Sequence, residues 1–251
     1  MNDLKKNRFL WIICLLGIIG ILYVFNPYKL EYVGYQSKVW AHRVNSLPKL
    51  HYTARFYSGI ELDLVYDSVT NTFDVNHPPA PSIGLDLGTY FSEIKDKELK
   101  LWLDIKNLSS HNTENASETL NNLVRKHQLK HQNILVESTE IECLMSFRTK
   151  GFQTSFYLPQ LVDLEDETKL LPRIDSIKDL LKQFPTDAVS GNANCYEILQ
   201  THFKEKQKYL WHIYKPYSRH QIENYRNFRK YVSDPTVEAV LIQVALPIGS
   251  R

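Results

Sequence analysis

Trp40-Ala41-His42-Arg43-Val44-Asn45-Ser46 is followed by Gly59-Ile60-Glu61-Leu62-Asp63-Leu64 and then by Asp74-Val75-Asn76-His77-Pro78. Each polar cluster ends a short run with strand character. In extended backbone alternate side chains share a face, so Glu61 and Asp63 point the same way. The flanking Ile60, Leu62, Leu64 and Val65 argue that this strand is buried, and buried charges are costly without a partner or a metal. Two carboxylates on one face at a strand end suit a hard divalent cation. His42 and His77, which bracket them, suit general acid and base chemistry. A third run, Leu101-Trp102-Leu103-Asp104-Ile105-Lys106, places Asp104 and Lys106 on one face with Trp102 behind them.

Working outward, short apolar runs alternate with helix-like segments, the pattern of a parallel α/β fold. Strands are expected over 39–42, 59–65, 100–105, 133–137, 153–157, 188–190, 209–213 and 239–244. Eight parallel strands close a small (β/α)₈ TIM barrel, in which catalytic residues sit at strand C-terminal ends and in the loops that follow. Helices are expected over 47–56, 116–127, 140–150, 173–184, 194–206 and 218–233, with Asn115 and Ser117 as caps of the second. No full helix follows the last strand, and 27–38 is expected to cover that side or the barrel floor. The acidic stretch 161–171 reads as a solvated loop on the site face.

The chain has 251 residues and a formal net charge of +2. No basic block interleaved with aromatics points to nucleic acid. Lys5, Lys6 and Arg8 precede an uncharged apolar run, 9–25, of about 17 residues, at the short limit for a spanning helix. No small-x-small cleavage site follows, so the expectation is an uncleaved signal anchor over 1–26 and one barrel domain over 27–251. The basic flank stays cytoplasmic and the barrel lies on the extracytoplasmic side. Cys14 falls in the apolar run, and a disulfide between Cys143 and Cys195 is not expected. No cysteine and histidine spacing suggests zinc.

The quoted residues resemble the glycerophosphodiester phosphodiesterases, of the phospholipase-C-like group with a TIM-barrel fold. The shared features are His-Arg near the start, Glu-x-Asp after a Gly-apolar pair, and a second His about a dozen residues on. Ala41-His42-Arg43-Val44-Asn45-Ser46 and His77-Pro78-Pro79 are similar to the menorin-like branch of that group. The resemblance implies a phosphoric diester hydrolase acting on glycerophosphodiesters or phospholipid-derived head groups. It supports Glu61, Asp63 and Asp104 as ligands of Mg²⁺ or Ca²⁺ and His42 and His77 as the acid–base pair. Asp104 stands where the family has Glu, and Arg43 and Lys106 would bind phosphate. Asn45, Glu137 and Trp211 are further pocket candidates.

Departures set the alternatives. Val44 stands where glycerophosphodiesterases have Gly, and Pro78 replaces the Asp that usually follows the second His. A catalytically silent barrel that binds a phosphorylated ligand or a protein partner outside the membrane is the competing reading. Within the enzyme reading, hydrolysis competes with a lyase-type route that gives a cyclic phosphate. His111, His127, His131 and His202 read as solvated surface.

Overall fold

The computed structural model describes residue 8, residues 11–18, residue 20, and residues 29–158, 167–212 and 221–246. Among them nine strands form one sheet: β1 (Val39–His42), β2 (Gly59–Asp67), β3 (Thr72–Val75), β4 (Lys100–Ile105), β5 (Ile134–Ser138), β6 (Gln153–Tyr157), β7 (Ala188–Asn192), β8 (Gln207–Trp211) and β9 (Val237–Gln243). The order β1-β9-β8-β7-β6-β5-β4-β2 is parallel throughout and closes through a β1–β2 contact at Ala41 and Ile60. The eight parallel strands form the expected barrel. β3 was not among the expected strands: it returns antiparallel along the outer end of β2 as a hairpin, pairing Leu64 with Val75 and Asp67 with Thr72.

Helices α1 (Leu47–Thr53), α2 (Leu87–Ser92), α3 (Thr113–Lys126), α4 (Leu144–Arg148), α5 (Glu167–Gln183), α6 (Tyr196–His202) and α7 (Gln221–Ser233) connect the strands. α2 was not expected. Its N-cap is Asp86, whose carboxylate accepts the Thr89 N–H at 3.0 Å. α3 starts three residues before the expected range, so Asn115 and Ser117 lie inside the helix and Asn112 holds the cap position. There the Asn112 carbonyl group of the side chain accepts the Ser109 N–H, folding the loop that enters the helix. Of the expected acidic loop, 161–166 lies outside the described residues, and 167–171 is the start of α5 rather than a loop. No disulfide joins Cys143 to Cys195.

Period-two alternation, closed into a barrel, sorts residues into two cores. Ile60, Leu62, Leu64, Leu101, Leu103, Val136 and Val240 face outward into the layer beneath the helices. Trp40, Trp102, Leu135, Ala188, Tyr209, Ala239 and Leu241 face inward and fill the barrel. Trp40 and Trp102 meet the Tyr209 ring edge-on, with centroids 5.8 and 5.2 Å away, and so form an aromatic floor. Gly59 makes room for this floor, because a Cβ there would lie 2.2 Å from the Trp40 ring.

The segment before β1 serves both ends of that side. Tyr32, in a 3-10 turn at Leu30–Tyr32, packs on Phe228 of α7. A second turn, Gln36–Lys38, ties to the base of β9 through Lys38 Nζ and the Asp234 carbonyl at 2.7 Å. Of the apolar run, residues 11–18 and 20 are helical, and the remainder lies outside the described residues. Among the described residues no helix is long and apolar enough to cross a membrane.

The floor gives a stability prediction. Gly59→Ala should cost about 1–3 kcal/mol, as overpacking does, in a denaturant melt. Gly191→Ala in β7, where a Cβ meets nothing within 4 Å, should leave the midpoint unchanged or raised.

Candidate active site

The site stands on the aromatic floor, at the C-terminal ends of the strands. Register places Glu61 beside Trp102, Asp63 beside Asp104, and Asp104 beside Glu137. All these side chains take the inward parity, so a layer of carboxylates lies directly above a layer of rings. His42 arrives from the end of β1, and His77 from the loop after β3. Together with Arg43, Lys106, Tyr157, Trp211 and Gln243 they line a cavity of about 170 Å³. A larger cleft of about 280 Å³ lies away from this chemistry, between α1 and the turn before β4.

The turn after β1 is built around the Glu61 carboxylate. Arg43 adopts φ +52°, a left-handed backbone that costs a side-chain-bearing residue about 1–2 kcal/mol. Its N–H donates to Glu61 Oε2 at 2.6 Å, and the Val44 N–H donates to the Glu61 carbonyl at 2.8 Å. Lys49 Nζ secures the same turn from outside, donating to the carbonyls of His42 and Arg43 at 2.8 and 3.0 Å. From below, the buried Tyr90 hydroxyl donates to the Val44 carbonyl at 2.8 Å.

Asn45 does not line the cavity. It clamps Asp63 instead: its amide donates to Asp63 Oδ2 at 2.7 Å, and its carbonyl accepts the Asp63 N–H at 3.0 Å. On the other side Lys106 Nζ lies 2.8 Å from Asp63 Oδ1 and also pairs with Asp104. Arg43 reaches His77 Nε2 at 2.7 Å, with its Nε 4.0 Å from Asp63. A guanidinium has only donors, so His77 Nε2 accepts this bond. His42 Nε2 lies 3.6 Å from Glu61 Oε2, and its buried Nδ1 has no hydrogen-bond partner among the described residues.

Electrostatics separate these groups. Burial, then the charges of Asp63 and Asp104, push the Glu61 carboxyl well above the usual range. Burial also raises Asp104 and, with the Asp104 charge added, Glu137. Burial opposes the Lys106 ammonium, but the Asp104 and Asp63 carboxylates outweigh it and raise its pKa. Burial and the Arg43 charge lower His42 to about 4, so its imidazole is neutral at pH 7.

One oxygen each from Glu61, Asp63 and Asp104 lie within 4.8 Å of one another. The buried carboxylates of Glu61 and Asp63 and the half-buried one of Asp104, with the Lys106 ammonium beside them, fit a hard oxygen-seeking cation. The structure brings the expected residues His42, Arg43, Glu61, Asp63, His77, Asp104, Lys106, Glu137 and Trp211 to one cavity. Tyr157 and Gln243 were missed: each is an inward residue at a strand end, identifiable once parity is known. His127 and His131 are half-buried rather than solvated; His131 Nε2 pairs with Asn121 Oδ1 at 2.9 Å.

No protein-family model and no curated protein matches the chain. Solved structures do. A protein from Silicibacter pomeroyi described as a glycerophosphoryl diester phosphodiesterase matches with a TM-score of 0.60 at 11% identity, over 86% of this chain and 94% of that one. A glycerophosphodiester phosphodiesterase from Parabacteroides distasonis matches with 0.56 at 16% identity, over 82% and 92%. An Oleispira antarctica phosphodiesterase, in complex with the product sn-glycerol-3-phosphate, matches with 0.56 at 12% identity, over 84% and 94%. The chain therefore has the barrel fold of the glycerophosphodiester phosphodiesterase structures.

Proposed function

We propose that the chain is a membrane-anchored, cation-dependent phosphodiesterase acting on glycerophosphodiesters or phospholipid-derived head groups. One observation carries this reading: His42, Glu61, Asp63, His77, Asp104 and Lys106, from separate segments, line a single cavity. The shared fold supports it, and one structure with that fold carries a glycerol phosphate product. The apolar run 9–25 would be the anchor, with the N-terminus cytoplasmic and the barrel over 27–251 on the extracytoplasmic side.

Glu61, Asp63 and Asp104 would hold Mg²⁺ or Ca²⁺, which when bound would neutralise phosphate charge and stabilise the developing anion. The remaining work falls to the chain's own groups. Asn45 and the Arg43 N–H keep two of the carboxylates aimed inward. Lys106 and the half-exposed Arg43 bind phosphate oxygens. While Arg43 donates to His77 Nε2, that nitrogen is occupied as an acceptor. A phosphate that draws Arg43 to itself frees His77 for proton transfer, with His42 as the other member of the pair.

Attack by water gives simple hydrolysis, and attack by a neighbouring substrate hydroxyl gives a cyclic phosphate. Phosphorus NMR of the product distinguishes them. The silent-barrel reading draws on Val44, Pro78 and the internally satisfied Arg43–His77 contact. Calorimetry with glycerophosphocholine and divalent ions, beside turnover on the same sample, tests it: binding without turnover across a broad substrate panel would favour that reading.

The full chain should hydrolyse a generic phosphodiester with Mg²⁺ or Ca²⁺ and lose that activity in excess EDTA. Undiminished turnover with chelator would remove the cation from the reaction. His42→Ala or His77→Ala should each lower the rate about 10²–10⁴-fold, with divalent-ion affinity kept. Glu61→Ala should weaken ion binding, and excess ion should partly restore its rate. Titration calorimetry on the same variants reads the difference, and the opposite pattern would reverse the assignment.

A further inference from the structure

Exposed large apolar side chains are distributed unevenly over the barrel. Val69, 89% exposed, sits at the tip of the β2–β3 hairpin beyond the site end of β2. Ile83, 66% exposed, lies in the loop that also carries His77. Leu171 projects from the start of α5, after β6, and Ile222, 73% exposed, from the start of α7, after β8. β2, β6 and β8 stand at separate positions around the barrel, so these residues straddle the cavity mouth rather than forming one patch. Leu30 and Tyr225 continue the apolar surface down the flank where the Leu30–Tyr32 turn lies beside α7. Among the described residues of the barrel, Val33, 57% exposed in the segment that enters β1, is the one exposed large apolar side chain at the opposite end.

We propose that the site end of the barrel rests on a phospholipid bilayer through Val69, Ile83, Leu171 and Ile222, so that the cavity opens onto the lipid surface. Aliphatic side chains spaced around the rim, two on loops and two at helix starts, can each enter a fluid apolar phase, which needs no single complementary patch. The same chain carries a segment that also calls for lipid. Trp11, Ile12, Ile13, Leu15, Leu16 and Ile18 are each at least half exposed on consecutive helical turns, so that helix is apolar all round and does not cover the rim. Reach agrees: from Phe25 to Leu30 the chain can extend at most about 18 Å. A helix embedded in a bilayer therefore holds the Leu30 flank within reach of the head groups.

This inference rests on the phosphodiesterase reading only for its substrate, and the test separates the two. The full chain is reconstituted into phosphatidylcholine vesicles as Ile222→Cys and, separately, as Lys204→Cys. Lys204 is exposed in the turn before β8, at the opposite end. A bulky water-soluble maleimide is the probe, with the unsubstituted chain giving the background of its own three cysteines. Labelling of the Ile222→Cys variant should be at least about tenfold slower than that of the Lys204→Cys variant. Equal rates would overturn the proposal, including the case in which the rim docks a protein instead. In a second arm, the Val69→Glu/Ile222→Glu variant should lose about tenfold turnover on a vesicle-borne phosphodiester lipid and keep its turnover on soluble glycerophosphocholine. An equal loss on both substrates, or none on either, would overturn it. If no form turned over either substrate, the phosphodiesterase reading would fail while the labelling rates still decided the surface.

Discussion

Closure of the sheet between β1 and β2, at Ala41 and Ile60, is the constraint on which everything else depends. An open sheet with this sequence would expose one parity of every strand. Closed, the same alternation has only two destinations: a sealed interior and a layer beneath the helices. Aliphatic side chains take the outer layer and bury apolar area at roughly 25 cal/mol per Å². The interior receives what is left, rings and small residues low in the barrel and ionisable groups near the rim. The strand-borne part of the cavity is thus a by-product of parity, to which the turn after β1 adds Arg43 and the loop after β3 adds His77.

The interior layers support one another. Trp40 lies over Gly59 and against Tyr209, and Trp102 closes the other side of that ring. This seals the lower barrel and keeps the carboxylate layer at one height. Gathering three carboxylates, two of them buried, is expensive, and the structure meets that cost locally. Glu61 receives the Arg43 N–H, Asp63 receives both Asn45 and Lys106, and Asp104 shares the same ammonium. The strained Arg43 backbone belongs to this arrangement, because it turns an amide toward Glu61 that a regular strand exit would direct elsewhere.

Much of this was legible in the sequence where a single strand carried its own signal. The runs 39–42, 100–105 and 153–157 have the observed bounds of β1, β4 and β6, since each is short and ended by a charge or a turn. β3 was not, because Thr72-Phe73-Asp74-Val75 takes its order from pairing with β2, a contact between segments that a local pattern does not encode. The start of α3 was misplaced for a similar reason: Asn112 is chosen as cap by the Ser109 turn, whereas Asn115 satisfies the same local rule inside the helix. Of the site, the charged residues stood out because charge inside an apolar run is anomalous. Asn45 lies off the cavity lining and bonds Asp63 across two strands, a contact with no sequence signature. Tyr157 and Gln243 carried no anomaly at all, being ordinary residues at strand ends.

Lys106 has a consequence for how ligands would enter. Its ammonium is held between Asp63 and Asp104, which makes it a resident counterion of the carboxylate cluster. A divalent ion arriving there would compete with it for the same oxygens. The displaced ammonium has a long flexible stem, and its natural new partner is an anionic phosphate in the cavity. Ion and substrate would then each improve the binding of the other, a coupling that thermodynamic linkage makes reciprocal. Such a coupling would rest on one side chain with two places to go.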